Sequence, residues 1–413
     1  MAANGGNGPL KGIKVLDWTM WQMGPVSTAM MGDMGADVIK IEALDGDAGR
    51  AVKRAITLDT GLVADRNAYF ESGNRNKRGV AINLKTGEGL DIVHKLVEKT
   101  DVFVQNFRQG VAERLGLGYD VLKELNPRII MINVSAYGQT GSMKDQVGFD
   151  PIGQAMGGLM SLTGAPDDAP MRTAFPLIDR ITSLHATIGA LAALRERDIS
   201  GEGQTIDVCL ADTGFTTNEI PISAYLGSGH VVQREGNGKG LGGTYQTKDG
   251  WIIIAANNDA MWGRMCEAVN KPEWLEDTRF STRADRQANN DALEDELTEW
   301  FSERNTRDAA KHLSAHSVPC APVNTVEQAA KEPLLQEREM MMEIPDPVAG
   351  TMWVTGKSIK FGRTPMVVNP TPLIGEHTRE LLSDVLGYDD EKIGSLEDSQ
   401  VIKTTESTPA AAD

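Results

Sequence analysis

The sequence predicts an α/β protein, and three observations carry that expectation. Strand and helix signals alternate through the first half of the chain, the pattern of βαβ units around a mostly parallel sheet. Apolar residues make up 40% of the 413 residues and charged residues 24%, the balance of a soluble globular protein with room for more than one core. After Thr213 the alternation gives way to glycine-rich and helical stretches, which marks a second unit.

Residues 12–18 are the first candidate strand; Gly24 and Pro25 break it, and 26–34 reads as a small, methionine-rich helix. Residues 37–42 and 79–84 are further strands, and 87–98 is a helix with Leu90, Val93, Leu96 and Val97 inward. Strands at 101–106 and 129–134 follow, separated by a helical stretch. Asp179 then opens a helix in which Ile181, Leu184, Ile188, Leu191 and Leu194 recur at helical spacing. A later strand at 205–210 is entered from the turn 200–203. Beyond it a strand at 251–256 precedes helical stretches at 259–269, 286–304 and 307–316, an α+β arrangement. The segment 319–324 looks like the return path; short strands and a helix near 376–386 follow, and 404–413 reads as a frayed tail.

The formal net charge of −17 opposes binding to nucleic acid and to anionic membranes. No run of about 18 apolar residues suggests a membrane span. An anionic ligand would need local cations. Cys209, Cys266 and Cys320 lie far apart without a CxxC pair, which fits a reducing compartment and argues against a zinc site. Residues 1–8 are small and polar, unlike a signal or transit peptide, so the expected location is the cytoplasm.

One GxGxxG pattern, Gly238 to Gly243, precedes a strand rather than a helix, so no NAD site is expected; a connecting or covering glycine loop fits better. The six histidines show no ligand spacing, and no metal is expected. No GxSxG elbow supports serine catalysis. The basic cluster Arg75, Lys77 and Arg78, with Lys85 a strand away, is either a solvated turn or a set of phosphate partners. Arg108 and Arg114 follow another strand and could join it. Gln22, Asn106 and Tyr137 also follow strands, at the sheet edge where parallel folds bind ligands. Asp179 either caps its helix or is a nucleophile held at the helix's positive end.

Taken together, these segments resemble the family III CoA-transferases, the group related to formyl-CoA and carnitine CoA-transferases and to α-methylacyl-CoA racemase. The resemblance runs from about Leu10 to Leu386. It rests on Leu16, Asp17 and Trp18; Gly24 and Pro25; residues 31–42 and 76–78; Asn106, Phe107, Arg114 and Gly116; residues 125–128; Tyr137 and Gly138; Asp179 with Gly189; and 201–204. It implies a Rossmann-like large domain built from both chain ends (1–215 and 325–413), with 216–324 forming a smaller α+β domain and its linkers. It also implies a ring-shaped subunit in an interlocked homodimer.

By the same resemblance, Asp179 is the catalytic aspartate, with Gln22 and Met23 beside the reacting thioester. Arg78, Ile82, Asn83, Leu84, Lys85, Asn106, Phe107, Arg108, Arg114, Ser135, Ala136, Tyr137 and Gly138 hold coenzyme A, and Gly242 and Gly243 match a glycine lid. The implied reaction moves CoA from an acyl-CoA to a free carboxylic acid through acylated Asp179. Ala43 and Ser135 stand where the oxalate enzyme has an arginine and a lysine, which argues against oxalate as acceptor. The alternative is an acyl-CoA racemase or epimerase. That branch carries Gly-His-Asp where this chain has Gly148, Phe149 and Asp150, and phenylalanine exchanges no proton. A non-catalytic CoA-binding protein, with Asp179 only a cap, is the third reading. Trp18, Met20, Trp21, Met23 and Phe149 could line an acyl pocket or belong to the core.

Overall fold

The computed structural model describes residues 7–52, 54–55, 58–59, 66–256, 258–346 and 348–405. The expectations for residues 1–6 and for most of the tail lie outside them. Contacts divide the chain into two compact units, one of Met1–Ser161, Arg172–Val232 and Glu339–Asp413, the other of Leu162–Met171 and Gln233–Arg338.

In the larger unit six strands run parallel: β1 (Lys14–Trp18), β2 (Asp37–Glu42), β3 (Lys77–Ile82), β4 (Val102–Gln105), β5 (Ile130–Ser135) and β6 (Thr205–Cys209). Their order is β3-β2-β1-β4-β5-β6, with the short strand Ile402–Lys403 antiparallel at the β3 edge. This is the order of a doubly wound sheet, and the chain reverses direction between β1 and β4. Loops leaving those two carboxyl ends part there and leave a crevice. Asn106 ties its rim: Oδ1 accepts from Met20 N at 2.9 Å and Nδ2 donates to Met20 O at 2.7 Å.

The helices α1 (Met23–Asp33), α2 (Ala68–Asn74), α3 (Gly87–Val97), α4 (Asp150–Met156), α5 (Leu177–Ser200) and α6 (Leu210–Thr217) belong to this unit. Ile92, Val93, Leu96 and Val97 of α3 are buried in the cluster that holds Leu16, Ile39 and Phe103; Val93, Leu96 and Val97 are expected inward from their spacing, whereas the expected Leu90 is only partly buried and Ile92 takes its place. Helix α5 packs differently from its apolar stripe. Ala186, Ala190, Ala193 and Leu194 meet Ile130, Ile132 and Val134 of β5, because small side chains let the helix approach the sheet. Leu184, Ile188 and Leu191 are exposed instead. This helix is long and apolar enough by length and composition alone to cross a membrane. It is nevertheless one of the helices that cover the sheet.

Strands β1 to β5 and α3 lie within two to three residues of their expected positions. The expected helix 286–304 is broken into Arg283–Ala288 and Asn290–Ser302, because Asn289 turns the chain between them. The chain also does not end its regular structure near 386: a helix, Asp390–Asp398, and the edge strand Ile402–Lys403 follow. The second unit folds Thr244–Gln246, Trp251–Ile254 and Cys320–Pro322 into an antiparallel sheet. Its own core includes Trp262, Trp274, Phe280 and Phe301.

Candidate active site

Asp179 sits in the first turn of α5 but does not cap it. That position is taken by Asp150, the buried first residue of α4. Its Oδ1 accepts the N–H groups of Ile178 at 2.7 Å and Asp179 at 3.0 Å. Gln154 Nε2 donates to the other oxygen of Asp150. The anion slot at the positive end of α5 is therefore filled. Among the described residues, neither oxygen of the Asp179 carboxylate is hydrogen-bonded or ion-paired. Burial, then the facing charge of Asp150, push the Asp179 carboxyl up to about 8, against the pull of Arg180.

The N-terminus of α1 faces the same place. No side chain caps α1, and its first N–H groups have no acceptor within the helix. Ser183 joins the two helices, its Oγ lying 2.8 Å from the carbonyl oxygens of both Met23 and Asp179. Gln22 is buried; its Nε2 donates to Tyr69 O at 3.2 Å, while Oε1 is buried with no partner. The preceding Trp21 is held at φ 69°, a conformation that costs a bulky side chain energy and that tends to occur at functional sites. Burial first and Asp179 second raise the Tyr69 phenol above its usual range. The structure thus brings Gln22, Met23 and Asp179 together, and adds Tyr69, Asp150 and Arg180.

A cleft of about 490 Å³ opens at the carboxyl ends of β1, β2 and β3. Ile82, Asn83, Leu84, Lys85, Phe107 and Leu115 line it, together with Trp18, Met20 and residues 41–47. Asn83 shapes the wall: its Oδ1 accepts from Lys85 N at 3.2 Å, and its carbonyl accepts from Thr86 Oγ1 at 2.8 Å. Lys85, Arg108 and Arg114 are exposed and form no ion pair among the described residues. Lys85 lines the cleft together with Asp45, and Arg108 and Arg114 adjoin its lining residues Phe107 and Leu115 in sequence.

The cluster at 75–78 is spent inside the fold. Lys77 Nζ pairs with Asp17 at 2.6 Å, Arg75 with Asp33 at 2.5 Å, and Arg78 with Asp37 at 2.5 Å and Glu380 at 3.3 Å. These side chains are neither a solvated turn nor open to phosphate, and Arg78 lies near the amino end of β3. Ser135, Ala136, Tyr137 and Gly138 follow β5, and Ser135 Oγ accepts from Gly138 N at 2.9 Å. Gly242 and Gly243 belong to the second unit. There Gly240–Gly242 is a single helical turn, held by Tyr245 Oη at 2.7 Å from Gly240 O and by Glu294, which accepts from Gly240 N at 2.7 Å. Trp18 packs on Phe103 and Phe107 as core, whereas Phe149 is exposed and meets Trp21 edge-on.

Tyr69, Arg180 and the role of Asp150 escaped the sequence reading. Only Asp150 carried a signal, as an acid opening a helix beside an expected functional position. A free, largely desolvated carboxylate beside two helix N-termini suits an enzyme of acyl transfer. The profile of CoA-transferase family III matches residues 10–378, and the chain belongs to that family. It is thus an enzyme of the acyl-CoA:carboxylate CoA-transferase class.

The chain is 33% identical over 399 residues to the succinyl-CoA:glutarate CoA-transferase of Homo sapiens, covering 95% of this chain and 90% of the relative. It is also 33% identical to the succinyl-CoA–D-citramalate CoA-transferase of Chloroflexus aurantiacus, over 95% of this chain and 98% of that one. Identity to the formyl-CoA:oxalate CoA-transferase of Streptomyces coelicolor is 31%, over 95% and 99%. A CAIB/BAIF family protein from Brucella suis superposes with a TM-score of 0.81 at 31% identity, covering 92% of this chain and all of the other.

Proposed function

We propose that this enzyme moves CoA from an acyl-CoA thioester to a free carboxylic acid with Asp179 as covalent nucleophile. The observation that carries the reading is the unpartnered Asp179 carboxylate beside the open N-terminus of α1. Ionised Asp179 attacks the thioester carbonyl; the C–S bond breaks, leaving a mixed anhydride and CoA thiolate. The thiolate attacks the aspartyl carbonyl, releasing the donor acid and leaving an aspartyl-CoA thioester. The acceptor carboxylate attacks that carbonyl and expels the thiolate. The thiolate then takes the new acyl group and frees Asp179. Each step passes one negative charge from attacker to leaving group, so no outside energy source is needed. Backbone donors near Gln22 and Met23 meet the tetrahedral oxyanions.

Ile82, Asn83, Leu84 and Phe107 form the seat for the nucleotide end of CoA, and Lys85, Arg108 and Arg114 its phosphate partners. Asn106 and the segment from Ser135 to Gly138 flank the carrier's path. The racemase reading lacks its second base, because Phe149 stands at that position. A homodimer is part of the proposal, supported by the exposed apolar stripe of α5.

Succinyl-CoA and glutarate, the pair in a relative's name, are the first substrates to assay. Incubation with succinyl-CoA followed by hydroxylamine should leave a hydroxamate on the Asp179 peptide, read by mass spectrometry. An unmodified Asp179 in a preparation that turns over would overturn the covalent reading.

A further inference from the structure

Arg180 is the next residue along α5, and its charge is unusually uncommitted. Arg66, Arg75, Arg78, Arg197 and Arg286 are buried or nearly so, and each pairs with a carboxylate. Arg180 has no carboxylate within ion-pair distance among the described residues. One Nη2 hydrogen bond goes to the Ser72 hydroxyl at 3.0 Å, and the guanidinium lies 5.4 Å from the centre of the Phe175 ring. Its Nε is buried with no partner. Burial and the nearby Arg75 both disfavour its charge, which Asp179 only partly offsets. A largely buried cation without a carboxylate partner is costly, and a ligand carboxylate would offset that cost.

We infer that Arg180 is a specificity-determining residue that holds the distal, non-reacting carboxylate of a dicarboxylic substrate. A planar guanidinium matches a carboxylate, and this one has the Phe175 ring beside it and Ser72 holding Nη2. The reacting carboxylate is a poor candidate for this contact, since a guanidinium on it would quench its attack on the aspartyl carbonyl. A cation one residue from Asp179, yet not bonded to it, suits the far end of a short diacid. In a double-displacement reaction donor acyl group and acceptor acid occupy one pocket in turn. The same cation therefore selects both, and the enzyme exchanges CoA between dicarboxylic acids.

This rests on the transfer reading above, and one experiment separates the two. Initial rates are measured with succinyl-CoA as donor and either glutarate or pentanoate, an acid of equal length with one carboxylate. The wild-type enzyme should prefer glutarate in kcat/KM by on the order of 100-fold, the size expected when a buried charge loses its partner. Arg180→Gln should erase that preference, mainly by raising KM for glutarate; any loss in the shared succinyl-CoA step falls on both acids alike and leaves the ratio of their kcat/KM values as the readout. Arg180→Lys should recover part of it. Equal use of both acids by wild type, or an equal loss for both acids in Arg180→Gln, overturns the assignment. The wild-type comparison needs no variant, so misfolding of Arg180→Gln does not shield the idea. Absence of transfer with every donor and acid would instead sink the transfer reading itself.

Discussion

In the proposed reaction Asp179 must be ionised to attack, and its surroundings resist ionisation. Burial and Asp150 hold its carboxyl near 8, so kcat/KM should climb about tenfold per pH unit below that value and level off above it. Asp150→Asn removes the facing negative charge while keeping an oxygen for the Ile178 and Asp179 N–H groups. Its rising limb should move to lower pH; an unmoved limb in the pH–rate profile would show that the charge of Asp150 is not felt. The same shift has a stability consequence. The folded chain holds this proton more tightly than the unfolded chain. The contribution is therefore complete below the ordinary carboxyl range near 4 and is lost as pH rises to about 8. Asp179→Asn lifts that penalty. The variant should be inactive, yet melt at least about 2 °C above wild type at pH 9, with the gap closing toward pH 4. Thermal melts across pH test both halves of the statement.

At the scale of elements, Asp179 is aimed by how α4 packs on α6. The two helices meet through glycines, so closely that a Cβ at Gly214 would lie 2.2 Å from Gly153 O and one at Gly157 2.1 Å from the Gly214 carbonyl carbon. Gly214→Ala must push α4 outward and carry Asp150 away from the start of α5. A loss of about 2 kcal/mol or more is expected, with at least a tenfold fall in kcat and little change in CoA affinity. Denaturant melts and CoA titration check it. This contact also marks where the sequence stops speaking. The strands of the sheet are legible where parallel strands buried on both faces read as nearly continuous apolar runs, as 129–134 does. Gln22, Met23 and Asp179 follow from the resemblance and lie where sheet and helices meet. Lys77 and Arg78 misled because a basic run looks the same whether it faces solvent or buried acids, and Asp17 and Asp37 are distant in sequence. Arg180 and Tyr69 gave no signal, since their meaning comes only from α2 and α5 standing side by side.

For the whole molecule, the apolar surface is the feature a single chain leaves unexplained. Ile188 of α5 is 61% exposed and Ile199 73%, with Leu184 and Leu191 on the same helix also exposed. The helix after α6, Glu219–Ser228, buries none of its residues, although Ile220, Tyr225 and Leu226 are large and apolar. A short helix without a buried face is not stable alone in water, so something must cover it. Net charge of −17 opposes association in general, which makes a specific apolar patch the economical way to bring two copies together. The homodimer proposal therefore predicts sedimentation at twice the chain mass at micromolar concentration. Ile188→Glu places a charge inside that contact, and should weaken the dimer by on the order of 100-fold or more. Ile188 does not line the cleft proposed for CoA, so CoA titration of the variant distinguishes lost assembly from lost folding. A wild-type protein that sediments as a monomer, or an Ile188→Glu dimer as tight as wild type, would mean that the stripe on α5 is covered by something other than a second copy.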